Sequence, residues 1–596
     1  MENEVLPPDA VLSKRVGLAA EPKDFEWIRK NVPCQAACPA GTDIPGYLDA
    51  ISHGDYDLAY RINLRDNVFP AVLGRVCTRP CEPACRHGWE GLGEPVAICH
   101  SKRSAESFMH QKDPVVLSPS FGPSGRRIAV IGGGAAGLTV ARELVLLGHA
   151  VTVFERYEEA GGMMVQGIPE FRLPRDVVLR EIEQIRLTGV DIRCGVQVGR
   201  DVRLIDLIER YDAIILSAGT IAPSVPLIPG GDLAGIVHGL PFLLDFNRHQ
   251  DQATCGNRVV VIGGGFTAVD CSRVARRLGA ENVRMCYRRS LHEMYITPDE
   301  VKELEVEQIA FDPLVLPMAF EGDGMHVTGV RFAKVRLGDP DATGRRSPEP
   351  IQGTEYVVPA DTVLLGTGQT RDLSWVDEHL WKDLAEGESE DLLRNRHRTA
   401  IEKVFVAGDF ATGAGSIIDA IGHAKSCSRE VDRMLMGEER LTDVVRIEEA
   451  ETTGRTREMD TLSRQRMPVR EADQRSLSAE VEMGFTDQVS RLEAGRCYLC
   501  NHKYEIDNDL CIYCDRCLKV KPVEKCIVKV DSLKISDDGR ITGYRESTST
   551  RDYNLLFIDQ SECIRCGACA DVCPVECISL QRVDLRTVRC CDSSFP

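Results

Sequence analysis

The chain has 596 residues, 24 of them cysteines, and a formal net charge of −19 at pH 7. This length allows about three to five domains with buried cores, and the acidic charge argues against a broad nucleic-acid-binding surface. Residues 1–5 lack the basic and apolar stretches of a secretory signal, and no run of about 18 apolar residues predicts a membrane span. Cysteines of a protein that is not exported serve metal ligation more often than disulfides. The expected compartment is therefore the cytoplasm.

The first part of the chain, residues 1–120, is expected to form short helices joined by cysteine-bearing turns, because it has no strand-like runs. A first batch of candidate metal ligands lies here: Cys34, Cys38, Cys77, Cys81, Cys85 and Cys99. Residues 119–127 are rich in Pro, Gly and Ser, and this composition predicts a linker to the next domain.

A first glycine loop follows the linker and has the spacing of a dinucleotide-binding turn. A predicted strand over 127–130 leads to Gly132, Gly134 and Gly137, and a predicted helix follows over 138–147. The glycines permit a tight turn, close approach of the backbone to a pyrophosphate, and close packing of helix on strand. The second strand ends at Glu155, whose carboxylate can hold ribose hydroxyls. The alternative is a purely structural glycine turn.

A second loop of the same kind follows a predicted strand over 258–261. Gly263 and Gly265 keep the first two glycine positions, and Ala268 takes the third, which the pattern permits. The next strand, over 283–287, is followed by Arg288 and Arg289, where NAD-binding domains carry an acid. Arginines at this position favour the 2′-phosphate of NADP. The alternative is a solvated basic turn.

Two strand–loop–helix–strand units indicate two nucleotide-binding domains. The segments 362–369 and 404–409 are predicted to contain returning strands, so the second domain is expected to be inserted in the first. From about residue 440 to 495 the sequence is highly charged, and this pattern predicts a solvated helix or connector.

The end of the chain carries a second batch of cysteines with ferredoxin spacing. Four of them match the CxxCxxCxxxCP run of two-cluster bacterial ferredoxins, in which the fourth cysteine crosses to the other cluster: Cys563, Cys566, Cys569 and Cys573. An earlier run holds Cys511, Cys514 and Cys517, but Lys521 stands where its fourth cysteine should be. Lysine does not readily replace a thiolate as an iron ligand.

Two outcomes are open for the cluster of Cys563, Cys566 and Cys569. It either recruits Cys526 as its fourth ligand or loses an iron to become [3Fe-4S]. Cys573 is expected to complete the cluster of the earlier run, and Cys577 is expected to pack without binding iron. Zinc knuckles are the alternative use of CxxC pairs, but the run favours iron–sulfur clusters.

Short motifs surround the two glycine loops in a fixed order. They lie at 74–77 (Gly-Arg-Val-Cys), 161–162 (Gly-Gly), 167–174 (Gly-Ile-Pro-Glu-Phe-Arg-Leu-Pro), 287–290 (Tyr-Arg-Arg-Ser) and 407–409 (Ala-Gly-Asp). With these motifs, residues 30–430 resemble the glutamate synthase small subunit family of FAD/NAD(P) oxidoreductases. One departure is Leu291, where the family often has a further arginine after Ser290. NAD therefore stays open beside NADP.

The resemblance implies that FAD binds at the first loop and NADP or NAD at the second. The implied FAD contacts are Gly132, Gly134, Ala136, Gly137, Glu155, Arg156, Gly162, Arg172, Gly219, Gly408, Asp409, Gly415, Ser416 and Ile417. The implied NAD(P) contacts are Gly263, Gly265, Phe266, Thr267, Arg288, Arg289 and Gly368. Because these cofactors supply the chemistry, no catalytic side chain is expected.

The resemblance also implies two N-terminal [4Fe-4S] clusters, whose first CxxC pair should precede Cys34 but is missing here. Cys497 and Cys500 resemble that pair moved to the far end of the chain, and they are predicted to join Cys34 and Cys85 in one cluster. Family order places Cys38, Cys77 and Cys81 in the other, which Cys99 could complete. Alternatively, Cys99 is a buried thiol, and Cys497 and Cys500 bind no metal.

The expected fold class is α/β, with two Rossmann-like domains, an N-terminal α-helical iron–sulfur domain and a C-terminal ferredoxin-like α+β domain. The expected domain limits are 1–120 for the helical domain, 121–250 and 376–440 for the FAD domain, 251–375 for the NAD(P) domain, 441–500 for the charged connector and 501–596 for the ferredoxin-like domain. About four [4Fe-4S] clusters are expected in all. For one of them, [3Fe-4S] is the alternative.

The predicted function is an NAD(P)H:acceptor oxidoreductase that exchanges hydride with FAD and passes single electrons through the clusters to or from a redox partner protein. By domain order, the chain resembles the iron–sulfur flavoprotein that accompanies dissimilatory sulfite reductase, so this reductase is a candidate partner. Alternatives are the electron-input subunit of glutamate synthase and a subunit of a ferredoxin-linked or electron-bifurcating complex. A redox sensor or cluster scaffold without turnover is an alternative of another class. A homo- or hetero-oligomer is expected, without nucleic acid or membrane span.

Overall fold

The computed structural model describes residues 23–89, 91–111, 113–250, 252–294, 296–340, 344–376, 380, 397–549 and 553–590. The predicted start at residues 1–5, the beginning of the expected helical domain and part of the predicted FAD return therefore lie outside the described residues. No described helix is long and apolar enough to cross a membrane.

The N-terminal part is helical, as the sequence predicts. Its helices are α1 (Phe25–Asn31), α2 (Pro33–Ala37), α3 (Ile44–Ser52), α4 (Tyr56–Asn67), α5 (Pro70–Val76) and α6 (Ile98–Phe108), with a 3-10 turn at Arg86–Gly88. The side chains of Asp24, Asp43 and Asp55 accept backbone N–H bonds at the starts of α1, α3 and α4. Such caps satisfy donors that a helix leaves free at its N-terminus.

A parallel five-stranded sheet forms the first nucleotide-binding domain. Its strands are β1 (Arg127–Ile131), β2 (Ala150–Phe154), β3 (Asp191–Arg193), β4 (Ala213–Leu216) and β16 (Val404–Val406), in the order β16-β4-β1-β2-β3. Its helices are α7 (Ala135–Leu146), α8 (Met163–Gln166), α9 (Arg175–Leu187), α10 (Leu204–Arg210), α14 (Asp409–Thr412) and α15 (Ile417–Met436). The predicted insertion is confirmed, because β16 pairs with β4 after the whole second domain.

The inserted domain has a second parallel sheet in the order β6-β14-β7-β8-β9. Its elements are β6 (Ile236–His238), α11 (Gly239–Arg248), β7 (Arg258–Ile262), α12 (Phe266–Arg277), β8 (Asn282–Tyr287), a 3-10 turn (Leu291–Glu293), α13 (Pro298–Val306), β9 (Ala310–Pro313) and β14 (Thr362–Leu365). The strand β6 belongs to this sheet, so the inserted domain begins before the predicted limit at 251. The predicted limit missed it because three residues give no periodic signal.

Two smaller sheets accompany the inserted domain. A two-stranded ribbon of β5 (Ala222–Pro223) and β15 (Gln369–Thr370) joins the chain where it enters and leaves the domain. An antiparallel sheet, which the sequence reading missed, is formed by β10 (Val315–Gly322), β11 (Val327–Pro340), β12 (Arg346–Pro350) and β13 (Tyr356–Pro359). It brings the β11–β12 hairpin beside the end of β8.

The last part of the chain forms two three-stranded antiparallel sheets and short helices. The elements are β17 (Leu441–Ala450), 3-10 turns at Arg457–Thr461 and Ala472–Gln474, α16 (Asp487–Gly495), β18 (His502–Ile506), α17 (Arg516–Val520), β19 (Ile527–Ile535), β20 (Ile541–Glu546), β21 (Leu555–Ile558), α18 (Ala568–Asp571) and β22 (Ile578–Arg589). The sheet orders are β17-β22-β18 and β20-β19-β21.

The prediction of a solvated helix or connector is wrong for residues 441–450. They form β17, which pairs with β22 along its whole length. Three charged residues of β17, Arg446, Glu448 and Glu449, are exposed, so the charge pattern reflected the solvated end of a strand. The pairing ties the last helix of the first nucleotide-binding domain to the end of the chain.

Candidate functional site

The first glycine loop has the backbone that its spacing predicts. Gly132 has φ of +102°, and a Cβ placed there would lie 2.6 Å from the Ser217 carbonyl oxygen. A Cβ at Gly137 would lie 1.9 Å from the Gly132 carbonyl oxygen, so helix α7 approaches β1 too closely for any larger residue. Both glycines are therefore required by close backbone packing.

A cavity opens beside this loop, at the carboxyl end of the first sheet. It is lined by most of the predicted FAD contacts: Gly132, Gly134, Ala136, Glu155, Arg156, Gly162, Gly219, Asp409, Gly415, Ser416 and Ile417. A Cβ at Gly134 would meet only Gly162, at 3.7 Å, which leaves the centre of the loop open toward the cavity. A long cofactor with a pyrophosphate fits this glycine-floored cleft.

Two other predicted FAD contacts, Gly137 and Gly408, allow the close packing of the cavity wall. Gly137 packs against the strand, and Gly408 has φ of +62° with its Cβ position 2.4 Å from the Ala136 Cβ. Six further residues that line the cavity were not predicted from the sequence: Tyr157, Met163, Val198, Thr220, Asp372 and Trp375. No motif marks them, because they reach the cavity through loops that only the fold brings together.

Two carboxylates line the cavity, the buried Glu155 and the half-buried Asp409. Glu155 accepts hydrogen bonds from the backbone amides of Gly133, at 2.7 Å, and Tyr157, at 2.9 Å. Burial raises the pKa of Glu155, although these amide bonds act in the opposite direction. Burial also raises the pKa of Asp409 to about 6. Asp409 therefore changes protonation state close to neutral pH.

The predicted FAD contact Arg172 lies elsewhere. Its guanidinium pairs with Asp270, at 2.8 Å, and with Glu300, and it lines a separate charged cavity between the two nucleotide-binding domains. The structure therefore uses Arg172 to tie these domains together. The sequence motif that contains it could not distinguish a cofactor contact from an interdomain ion pair.

The second glycine loop also begins a helix, with Gly263 at φ of +155° and open space beside Gly265 and Gly368. Phe266 and Thr267 form the first turn of α12. Arg289 donates from Nε to the Arg346 carbonyl oxygen at 2.8 Å, and burial together with the charges of Arg289 and Arg345 lowers the pKa of Arg288. A group of cations thus lies where a 2′-phosphate is expected.

Cysteines from opposite ends of the chain meet in the first of four groups, set 1. Cys34, Cys85, Cys497 and Cys500 line one hollow. Helix α16 delivers the last two: Glu493 accepts from the Ala97 amide at 2.7 Å, and the Tyr498 ring stacks on His87 at 4.6 Å. The predicted proximity of these four residues is what the structure shows.

Set 2 consists of Cys38, Cys77, Cys81 and Cys99, all buried in the helical domain. The Cys99 thiol hydrogen-bonds with the thiols of Cys77 and Cys81, and Lys102 is buried beside all four. Burial alone would lower the pKa of Lys102, but the neighbouring thiols raise it. The position of Cys99 among the other three fits a fourth ligand better than an isolated packed thiol.

The tail holds two further groups. Cys526, Cys563, Cys566 and Cys569, set 3, adjoin one another in the tail, and Lys521 donates to the Ile527 carbonyl oxygen at 2.7 Å beside Cys526. Set 4, which is Cys511, Cys514, Cys517 and Cys573, lines another hollow. Cys577, which was predicted to pack, lines the same hollow, 3.4 Å from the Cys573 sulfur.

Four cysteine loops share one turn. The residue two positions after the first cysteine has positive φ: Arg79 at 60°, Leu499 at 48°, Tyr513 at 54° and Arg565 at 56°. The amides of the first three donate to the sulfur of that cysteine at 3.4 Å. Amide-to-sulfur bonds stabilise and tune thiolate-bound clusters. The strained backbone therefore fits iron–sulfur clusters.

A single metal ion fits these groups less well. Among the described residues, no three or more His, Cys, Asp or Glu side chains are arranged to hold one ion. The cysteines of sets 1 and 4 instead surround hollows, which polynuclear clusters would fill. This arrangement argues against the zinc-knuckle alternative.

Three family models match the chain. Residues 126–426 match pyridine nucleotide-disulphide oxidoreductase, residues 29–113 match dihydropyrimidine dehydrogenase domain II with a 4Fe-4S cluster, and residues 556–579 match the 4Fe-4S binding domain. The first model covers the two nucleotide-binding domains, and the other two cover cysteine sets at opposite ends.

Several curated proteins are similar to the chain. The NADPH-Fe(3+) oxidoreductase subunit beta of Geobacter sulfurreducens is 35% identical, over 79% of this chain and 75% of its own length. The NADP(+)-dependent formate dehydrogenase subunit beta of Moorella thermoacetica is 36% identical over 68% of this chain, which spans only 60% of that subunit. The glutamate synthase [NADPH] small chain of Escherichia coli is 32% identical, over 67% of this chain and 87% of its own length.

Proposed function

Because the chain belongs to the pyridine nucleotide-disulphide oxidoreductase family, we propose that it carries electrons between NADPH and a partner protein through FAD and four iron–sulfur clusters. It is an FAD- and iron–sulfur-dependent NAD(P)H oxidoreductase, similar along most of its length to NADPH-dependent subunits. The resemblance to the glutamate synthase small subunit family is confirmed. We assign it to the cytoplasm, where ligating thiols stay reduced.

The cavity at the first sheet is the proposed FAD site. Amides of the glycine loop and the N-terminus of α7 would bind the pyrophosphate, and Glu155 would hold ribose hydroxyls. Asp409 and residues 415–417 line the opposite wall, where they would position the remainder of the cofactor. When bound, FAD supplies hydride acceptance and single-electron release; the chain's own residues bind, orient and shield it.

The second loop is the proposed NADP site. Amides at Gly263, Gly265 and Phe266 would approach the pyrophosphate, and Arg288 with Arg289 would meet the 2′-phosphate. Guanidinium groups bind phosphate oxygens with two parallel N–H bonds, so the pair discriminates NADP from NAD. Gly368, at the return from the second sheet, leaves space for the nicotinamide side.

Set 1 is the observation that carries the electron-transfer proposal. Cysteines from two distant parts of the chain surround one hollow. A cluster that binds all four would explain why they meet there. We assign Cys34, Cys85, Cys497 and Cys500 to one [4Fe-4S] cluster and the cysteines of sets 2, 3 and 4 to three more. Cys526 then completes set 3, and [3Fe-4S] is not needed.

Set 4 is the proposed point of exchange with the partner. Cys514 is exposed, and Leu510 and Ile512 beside it are each 60% exposed. The partner is a second redox subunit in a hetero-oligomer, because the three relatives named above are subunits of an NADPH-Fe(3+) oxidoreductase, a formate dehydrogenase and a glutamate synthase. A dissimilatory sulfite reductase is the candidate that the domain order of this chain suggests.

Cofactor analysis of the anaerobically purified full-length protein tests the proposal. We expect one FAD and about sixteen irons per chain, as four cubane clusters require. Steady-state reduction of a dye by NADPH distinguishes an oxidoreductase from a redox sensor or cluster scaffold. An iron content near eight, or a reduced flavin that never turns over, would contradict the proposal.

A further inference from the structure

Two arginines meet between set 1 and set 3. Arg86 follows the set 1 ligand Cys85, and Arg565 lies between the set 3 ligands Cys563 and Cys566. The Nη1 atoms of both arginines donate to the same acceptor, the Gln560 carbonyl oxygen, each at 2.9 Å. The helical domain and the ferredoxin-like domain are thus joined at one backbone oxygen.

Both guanidinium groups are buried, Arg86 at 2% and Arg565 at 0% exposure. Arg565 donates from Nε to the His502 carbonyl oxygen at 3.0 Å and from Nη1 to that of Cys563, while its Nη2 has no hydrogen-bond partner. Its acceptors are neutral carbonyl groups. Among the described residues, no carboxylate forms an ion pair with Arg565 or Arg86, although nearby Arg455 pairs with Asp460 at 2.5 Å.

A buried cation needs a counter-charge, because hydrogen bonds to neutral groups do not replace lost hydration of a full charge. The charges of Arg86 and Arg455 oppose that of Arg565, and the groups that favour its charge are the sulfurs of Cys563 and Cys500, one from set 3 and one from set 1. Ile564, next to Arg565, packs in the same apolar core as Cys497 and Cys500. The guanidinium therefore lies between the two cysteine sets.

We propose that Arg565, supported by Arg86, is the shared counter-cation of the clusters in sets 1 and 3 and adjusts their reduction potentials together. This inference rests on the proposed function, since it requires iron at both sets. Each one-electron reduction makes a cluster more negative by one charge, which a buried neighbouring cation stabilises. Because one cation acts on both clusters, both potentials rise together.

The sequence contains a signal for this role. Arg565 stands inside a CxxC pair at the position that takes a left-handed backbone, with φ of 56°. From that backbone the side chain reaches the carbonyl oxygens of His502 and Gln560. A positively charged residue here has no solvent to reach, so its function must lie inside the protein.

Potentiometric titration of the full-length holoprotein, followed by electron paramagnetic resonance, tests the role. We expect Arg565→Gln to shift the midpoint potentials of both clusters to more negative values, and Arg565→Lys to keep them near the wild-type values. The signal of set 1 is identified by its loss in the double variant Cys497→Ser/Cys500→Ser. A shift of the set 3 cluster alone, or of neither, would overturn the sharing.

Arg142→Gln is the matched control. Arg142 is equally buried, but it pairs with Glu143 at 2.5 Å in the first nucleotide-binding domain, far in sequence from both sets. Its loss should lower stability and leave both cluster potentials unchanged, which separates charge from folding.

Arg86→Gln covers the case in which Arg565→Gln fails to retain its clusters. It should move both potentials in the same negative direction, and unchanged potentials in this variant would overturn the inference. Absence of iron from set 1 or set 3 in the wild-type protein would instead contradict the proposed function. The two failures are therefore distinguishable.

Discussion

Sets 1 and 4 have similar cysteine turns but different surroundings. In both, the residue two places after the first cysteine, Leu499 or Tyr513, has a positive φ and donates its amide to the cysteine sulfur at 3.4 Å. Set 1 draws its ligands from both chain ends and is largely buried, whereas set 4 lies wholly in the tail and exposes Cys514.

The cysteine turn determines which cofactor can bind, and the burial of the site determines how the bound cofactor exchanges electrons. A buried cluster that joins two domains serves as an internal relay and links them covalently through iron. A cluster with an exposed ligand exchanges electrons with other molecules. Sets 1 and 4 are therefore expected to respond differently to the same kind of substitution.

The largest difference is expected when the two sets are removed in turn. Cys497→Ser/Cys500→Ser should lower the iron content by about four per chain and nearly abolish electron transfer from NADPH to the tail clusters. NADPH-dependent reduction of the flavin should persist. Thermal unfolding should begin at a lower temperature, because the link between the chain ends is lost.

The matched variant Cys511→Ser/Cys514→Ser should lose as much iron but keep electron transfer from the flavin to set 1, with little change in unfolding temperature. Iron analysis measures the loss of clusters, spectroscopic titration follows electron transfer, and calorimetry gives the unfolding temperature. Equal effects of the two double variants on stability would remove the distinction between relay and exchange site.

An intermediate effect is expected at the NADPH entry, which feeds both sets. Arg288→Ala/Arg289→Ala should raise the KM for NADPH by about 100-fold, since hydrogen bonds to charged groups contribute about 1.5–3 kcal/mol each. The KM for NADH should change little, and reduction of sets 1 and 4 should slow equally.

Arg284→Ala is the control for this change. Arg284 lies on β8, the strand that Arg288 and Arg289 follow, but pairs with Asp312 at 2.5 Å. Steady-state kinetics with both nucleotides gives the comparison. Equal increases in the two KM values of the double variant would mean that the arginines do not read the 2′-phosphate.

Local features of this molecule follow from sequence, and long-range ones follow only in part. The glycine loops predicted both nucleotide-binding domains because each loop, strand and helix is contiguous in the chain. The proximity of Cys497 and Cys500 to Cys34 followed from counting ligands against a family pattern. That these cysteines bind iron stays a prediction.

The incorrect predictions for Arg172, for residues 441–450 and for Cys577 have a common cause. Arg172 stands in a motif, yet its guanidinium is held by Asp270 and Glu300 of the other domain, and no local pattern encodes that pairing. Residues 441–450 look like a connector because their partner strand, β22, lies more than a hundred residues later. Cys577 enters the set 4 hollow because of how the loop after Cys573 folds. Each needed the tertiary structure.

The smallest effect is expected at the exposed rim of set 4. Ile512→Ser removes an apolar side chain that is 60% exposed beside Cys514, and this loss should weaken docking of a protein partner by about three- to tenfold. Cytochrome c is a suitable protein acceptor and ferricyanide a small one, both reduced from NADPH. The rate of cytochrome c reduction divided by the rate of ferricyanide reduction should fall, because the small acceptor ferricyanide needs no docking surface. Leu227→Ser, at a fully exposed leucine in the chain between the two sheets, should leave the ratio unchanged. An unchanged ratio in Ile512→Ser would place the exchange site away from set 4, and the contrast with set 1 would then rest on burial alone.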